Sequence, residues 1–257
     1  MVGSLLFRGM LAGILAGLLC FAFLKVVGEP QVNRAIAFEA QMDEAHHHAA
    51  AVQGQPMPDA EPELVSRTTQ AGLGLFTGVI VYSAAFGGLF ALAFALVQGR
   101  ATTLGARANA GLLAAAGFVA VYLVPNLKYP ANPPSVGDPD TIGSRTGLYF
   151  ALLAFSLAAA VAAGMLRRRL AGSVGGWNAA ILAACAYVAV MVVAGLLMPS
   201  VNEVPDGFPA DLLWRFRVAS IGAQALMWAS IGLVFGALAE RLPVFRPVPT
   251  RRAAIAS

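Results

Sequence analysis

The chain has 257 residues, 58% of them hydrophobic and only 12% charged, with a mean hydropathy of +0.72. A soluble domain is about 45–50% apolar and about 25% charged, so this composition excludes a disordered chain, a coiled coil and an ordinary cytosolic enzyme. The net charge of +4 and pI of 9.4 resemble a nucleic-acid footprint, but the arginines fall where membrane proteins place them, and no nucleic-acid partner is expected.

A helix needs roughly 20 mainly apolar residues to cross the hydrocarbon core. Six stretches qualify and predict an all-α integral membrane protein: six transmembrane helices in three hairpins, surrounded by lipid. The first covers residues 5–27, with Arg8 placed to snorkel to the interface. It exceeds the apolar core of about 7–15 residues of a secretory signal, so it is expected to be retained. An outer loop, residues 28–70, follows it. The second span, 71–97, is longer than needed and should tilt or project. The third, 107–124, is the shortest. A proline-rich loop leads to the fourth, 146–166, which ends at Arg167, Arg168 and Arg169, a topology anchor. The fifth covers 178–198 and the sixth 218–238. Residues 1–241 thus form a single transmembrane domain, and 242–257 a basic cytoplasmic tail.

Lys and Arg in the connections set the orientation. The N-terminus, residues 98–107, residues 167–177 and the tail hold ten arginines and one acid, Glu240. Residues 25–70, 125–145 and 199–217 hold seven basic residues and the other twelve acids. The alternation places both termini in the cytoplasm and three acidic loops outside. Each outward crossing ends near a proline, at Pro30, Pro125 and Pro199. This order fits a threefold hairpin repeat, and equally fits prolines that simply mark span ends.

Small residues at a four-residue spacing let membrane helices approach closely. Gly9, Gly13 and Gly17 form such a ridge, and Gly74/Gly78 and Gly232/Gly236 repeat the spacing. The ridges serve either internal packing or the docking of another subunit. Polar groups in mid-membrane are few: Ser220 and Gln224 lie one turn apart on the last span and Tyr82 and Ser83 in the second, and no Asp, Glu or Lys sits deep in any span. Gln224 is the best single candidate to line a pore, or else forms an interhelical hydrogen bond. Cys20 and Cys185 lie inside apolar runs, without metal-ligand spacing. No P-loop, Gly-x-Ser-x-Gly elbow, His-Glu-x-x-His or Cys-x-x-Cys is present. No enzyme activity and no permanently bound cofactor are expected.

The outer loops carry the strongest chemistry. All three histidines are consecutive, His46, His47 and His48, after Glu39, Asp43 and Glu44. If residues 34–52 are helical, Glu39, Asp43, His46 and His47 share one face. Carboxylate with imidazole suits divalent first-row metals such as Co, Ni and Zn, while a histidine run is also a common low-complexity patch. The second loop places Asn132, Asp138 and Asp140 among five prolines. The third holds Asn202, Glu203 and Asp206 between Pro and Gly residues. Together these loops are candidates for an outer cation vestibule, whose acidity raises the local cation concentration.

The loop texts carry a resemblance. Lys-Tyr-Pro-Ala-Asn-Pro-Pro at 128–134, Gly-Asp-Pro at 137–139, Thr-Ile-Gly-Ser-Arg-Thr at 141–146 and the run Asn-Glu-Val-Pro-Asp-Gly-Phe-Pro-Ala-Asp-Leu-Leu-Trp-Arg-Phe-Arg at 202–217 resemble the CbtA family of cobalt transporter subunits. Phe7-Arg8-Gly9 and Gly28-Glu29-Pro30 extend the likeness toward the N-terminus. The resemblance implies a bacterial inner-membrane protein that supplies cobalt to cobalamin synthesis, with cobalt as substrate. It also implies a small partner, CbtB, with one span and a histidine-rich end. The family is described with five spans; the charge alternation here argues for six. The other function class kept open is a non-conducting accessory subunit that binds a small partner protein.

Overall fold

The computed structural model describes residues 2–52, 65–100, 104–137 and 140–245. Among these, all regular structure is helical. Helix α1 (Val2–Phe23) runs through a π-helical segment (Leu24–Gly28) into α2 (Glu29–Val52). A short α3 (Arg67–Thr69), a π-helical turn (Gln70–Gly74) and α4 (Leu75–Val97) form the second span. The third joins α5 (Ala106–Gly117), a π-helical segment (Phe118–Leu123) and α6 (Val124–Lys128). Then follow α7 (Ile142–Val174), α8 (Gly176–Leu197) and α9 (Ala210–Glu240). Six helical runs are long and apolar enough to cross a membrane, as the hydropathy reading requires.

Two of the three expected proline ends are not ends. Only α8 stops at its proline: it closes at Leu197, ahead of Pro199. Pro30 and Pro125 sit inside continuous helices, each just after a π-helical segment. A proline lacks the N–H that its helix would use and crowds the preceding turn. The wider turn absorbs both effects. Glu29 donates its N–H to the Leu24 carbonyl, and Val124 donates to the Val119 carbonyl, each five residues back. The next bond in that register would come from the proline and cannot form. In the third span the carbonyl so deprived is Ala120's, and the buried Ser156 hydroxyl of α7 donates to it at 2.7 Å. The expected loop at 167–177 is also mostly helix. Arg167–Arg169 lie within α7, and Gly175, at φ +80°, makes the whole turn into α8. A left-handed glycine after the last helical residue is the usual way to end a helix sharply.

Packing order differs from hairpin order. Among the described residues the most extensive contact is between α1 and α4, and the sixth span lies against the first and the third. The fourth and fifth spans pair with each other, and the fourth packs on the π-helical segment and α6 of the third. At the α1–α4 seam the helices run antiparallel, with Gly9 against Gly87 and Gly13 against Ser83. A Cβ on Gly9 or Gly13 would overlap carbonyl oxygens of α4, so this ridge is internal packing. Gly232 and Gly236 likewise face α5, against Ala114 and Ala110. Gly78 meets nothing within 4 Å, so the middle ridge is not used for packing in this chain. An aromatic and aliphatic core formed by Phe90, Phe94, Ile231 and Phe235 joins α4 to α9. Outside it, large apolar side chains such as Leu96, Leu196 and Leu233 are at least 70% exposed, the surface a lipid-embedded helix presents.

Candidate functional site

The three loops read as outer converge at one end of the bundle. Ala35 of α2 packs with Val136 of the second loop and with Phe208 and Leu212 of the third, and Phe38 meets Phe208 edge-on at 5.1 Å. The Ser135 hydroxyl donates to the Ala35 carbonyl at 3.2 Å. Tyr129, 5% exposed, donates its hydroxyl to the Pro199 carbonyl at 2.8 Å. Burial raises its pKa, so this phenol remains a donor throughout the physiological range.

At this end the expected site residues have different fates. Glu203 is tied down: its side chain is 4% exposed and takes Arg145 Nη1 at 2.6 Å, with the Thr141 hydroxyl on its other oxygen. Asn132 accepts from Arg217 Nη2 at 2.9 Å, and Arg217 also donates to the Ala131 carbonyl. Asn202 accepts from the Val204 N–H, closing a local turn. Asp206 is exposed and precedes Gly207, whose φ of +81° completes the turn that Pro205 and Phe208 bond across. Asp140 is exposed at the start of α7's approach. Asp138 lies outside the described residues. Glu203 and Asn132 thus fasten the loops to the fourth and sixth spans. This role was not legible in the sequence, because their arginine partners lie 58 and 85 positions away.

The histidine segment, read in the sequence as part of an outer loop, is helical and continues the first span. Glu39, Asp43, His46 and His47 lie on α2, and Glu39, Asp43, His47 and His48 are exposed. The His46 side chain lies outside the described set. Among the described residues, no group of three or more His, Cys, Asp or Glu converges as a ready-made metal cage.

Inside the spans, Gln224 lines a cavity of about 210 Å³ between the first, second and sixth spans, with Tyr82 beside it. Ser220, one turn away, lines the same cavity and bonds the Tyr122 hydroxyl at 2.7 Å. At the cavity's upper wall is Glu29, whose side chain is 11% exposed and meets Arg67 Nη2 at 2.5 Å. Arg67 also donates to Asn33 Oδ1 from Nε and Nη2 at 3.3 and 3.1 Å. In the sequence Arg67 stands only as an outer-loop charge, and Glu29 as another such charge within the Gly28-Glu29-Pro30 text of the resemblance. The available signal was an acid beside a proline at the close of one apolar run, with an arginine opening the next.

At the other end, Arg107 pairs with Glu240 at 2.5 Å, and Asn109 donates to Gln98 at 2.6 Å. Six helices long and apolar enough to cross a membrane, with large apolar side chains exposed on their outer faces, define a multi-pass membrane protein. The chain belongs to the CbtA family, described as probable cobalt transporter subunit, whose model matches residues 2–240. Comparison with curated proteins and with solved structures gives no match.

Proposed function

We propose that this chain is the membrane subunit of a cobalt uptake system that supplies cobalamin synthesis, seated in the bacterial inner membrane with both termini cytoplasmic. The observation that carries this reading, beside the family, is the convergence of the three acid-rich loops at one end of the bundle. Asp206, Asp140 and the exposed acids of α2 form a negative face that concentrates cations, and Asp138 of the second loop is assigned to the same role from its place in the sequence. His46, His47 and His48, with Glu39 and Asp43, capture the metal at low concentration through imidazole and carboxylate donors. Asn132, Asn202 and Glu203 shape the vestibule. A CbtB-type subunit with a single span and a histidine-rich end is the proposed partner. Two of the three glycine ridges close within the chain, so that partner docks elsewhere.

The test is radiolabelled cobalt accumulation in a strain stripped of its own importers. The chain is expressed alone, with the small partner, and against an empty vector. Uptake that requires this chain supports the reading. No uptake in either setting, with the protein verified in the membrane, refutes it in favour of a non-conducting accessory subunit.

A further inference from the structure

We infer that Glu29, Ser220 and Gln224 form an all-oxygen site for a partly hydrated divalent cation, and that Arg67 is the tethered cation holding the carboxylate when no metal is bound. This deepens, and rests on, the transport reading above.

The cavity is built for such an occupant. Its volume of about 210 Å³, against about 30 Å³ for a water molecule in the liquid, leaves room for an ion with part of its hydration shell. Most of its wall is apolar, from Leu24, Val32, Phe216 and their neighbours, and the polar groups are few and placed. Ser220 is held by the Tyr122 hydroxyl of the third span, and Tyr82 of the second lies beside Gln224. Pockets with an apolar wall and a small number of anchored polar groups are the usual form of a small-ligand site.

The carboxylate's position follows from the backbone. The π-helical segment Leu24–Gly28 precedes Glu29 directly, and such widened turns recur at functional sites, where they re-aim side chains. A charge this deeply buried requires a counter-charge, and Arg67 supplies it. Arg67 is not locked in place. Its side chain is 30% exposed, it stands in the first turn of the second span, and it already holds a second acceptor, Asn33. Asn33 lies four residues after Glu29, on the same face of α2. A cation arriving at Glu29 leaves the guanidinium bonded to Asn33, so exchange of one cation for the other does not strand a buried donor.

The donor set also sets the ligand class. Carboxylate, hydroxyl and amide oxygens take hard and borderline divalent ions and offer nothing to soft ones such as Cu(I). One carboxylate against two positive charges binds weakly enough to release, which conduction requires.

The experiment uses the purified full chain in lipid nanodiscs with cobalt chloride as the probe, read by equilibrium binding, together with uptake in cells. Glu29→Gln should weaken binding by at least about tenfold, since even an outer-shell partner of a metal ligand is worth about 10–100-fold. Arg67→Gln should tighten it several-fold, because the internal competitor is gone. A purely structural ion pair predicts that both changes lower thermal stability alike and neither tightens binding. That result overturns the site, as does Glu29→Gln binding cobalt like the unaltered chain. Glu29-dependent binding without cellular uptake supports the site and refutes the transport reading. Uptake that is unchanged by Glu29→Gln leaves the transport reading and refutes the site.

Discussion

Gly87→Ala adds one methyl group to the most closely packed seam in the protein. A Cβ at Gly87 would overlap the Gly9 carbonyl oxygen and stand 2.9 Å from both the Cα and the N of Gly13, inside the 3.0 Å that real Cβ atoms respect. Every one of these neighbours is backbone. None can swing aside, so α1 and α4 must separate along a seam that also contains Gly17 and Ser83. Overpacking of a well-packed interface costs about 1–3 kcal/mol. The same substitution at an open helical position works the other way, because Ala exceeds Gly in helix propensity by up to about 1 kcal/mol. Gly78 is that position: it is on the same helix, nine residues earlier, with nothing within 4 Å. Thermal unfolding in detergent should therefore place Gly87→Ala below the unaltered chain and Gly78→Ala at or above it. If Gly87→Ala is no less stable than Gly78→Ala, the close approach of α1 and α4 is not what holds this pair together.

Ser156→Ala removes the donor that completes the Ala120 carbonyl and the hydroxyl bonded to Tyr187 at 2.8 Å. It should lower stability by about 1–3 kcal/mol, the cost of an unsatisfied buried polar group, and a variant that unfolds with the unaltered chain would remove the account of Pro125. Glu203→Ala leaves Arg145 without its partner at 2.6 Å. Breaking a buried pair costs about 3–5 kcal/mol; with Arg145 28% exposed about 2 kcal/mol is expected, together with faster proteolysis of the second and third loops. Replacing His46, His47 and His48 with Ala should reduce uptake at low cobalt and leave it near normal at high cobalt; equal uptake at every concentration ends the capture role. Asp206→Asn should instead reduce uptake at all concentrations, and unaffected uptake would remove it from the vestibule.

The apolar runs determined the number of crossings and their approximate bounds, since a helix that must span the hydrocarbon core has few other ways to be written. The first glycine ridge was legible for the same reason: four-residue spacing is local geometry. Proline was the misleading signal. Read one residue at a time it ends a helix, yet at Pro30 and Pro125 the preceding turn widens and the helix continues, with Ser156 of another span serving the carbonyl that Pro125 cannot. Partner choice was beyond the sequence altogether. Nothing local tells the sixth span to lie against the first and third. That arrangement follows from complementary surfaces, Gly232 and Gly236 against α5 and Gly222 against Phe23. It is this packing that brings Glu29 from α2 and Ser220 and Gln224 from α9 around one cavity, with Arg67 from α3 paired to Glu29. Individually they read as loop charges and span-bound polar groups; they become a site only because close contact between helices, which depends on side-chain shape rather than on hydropathy, sets them side by side.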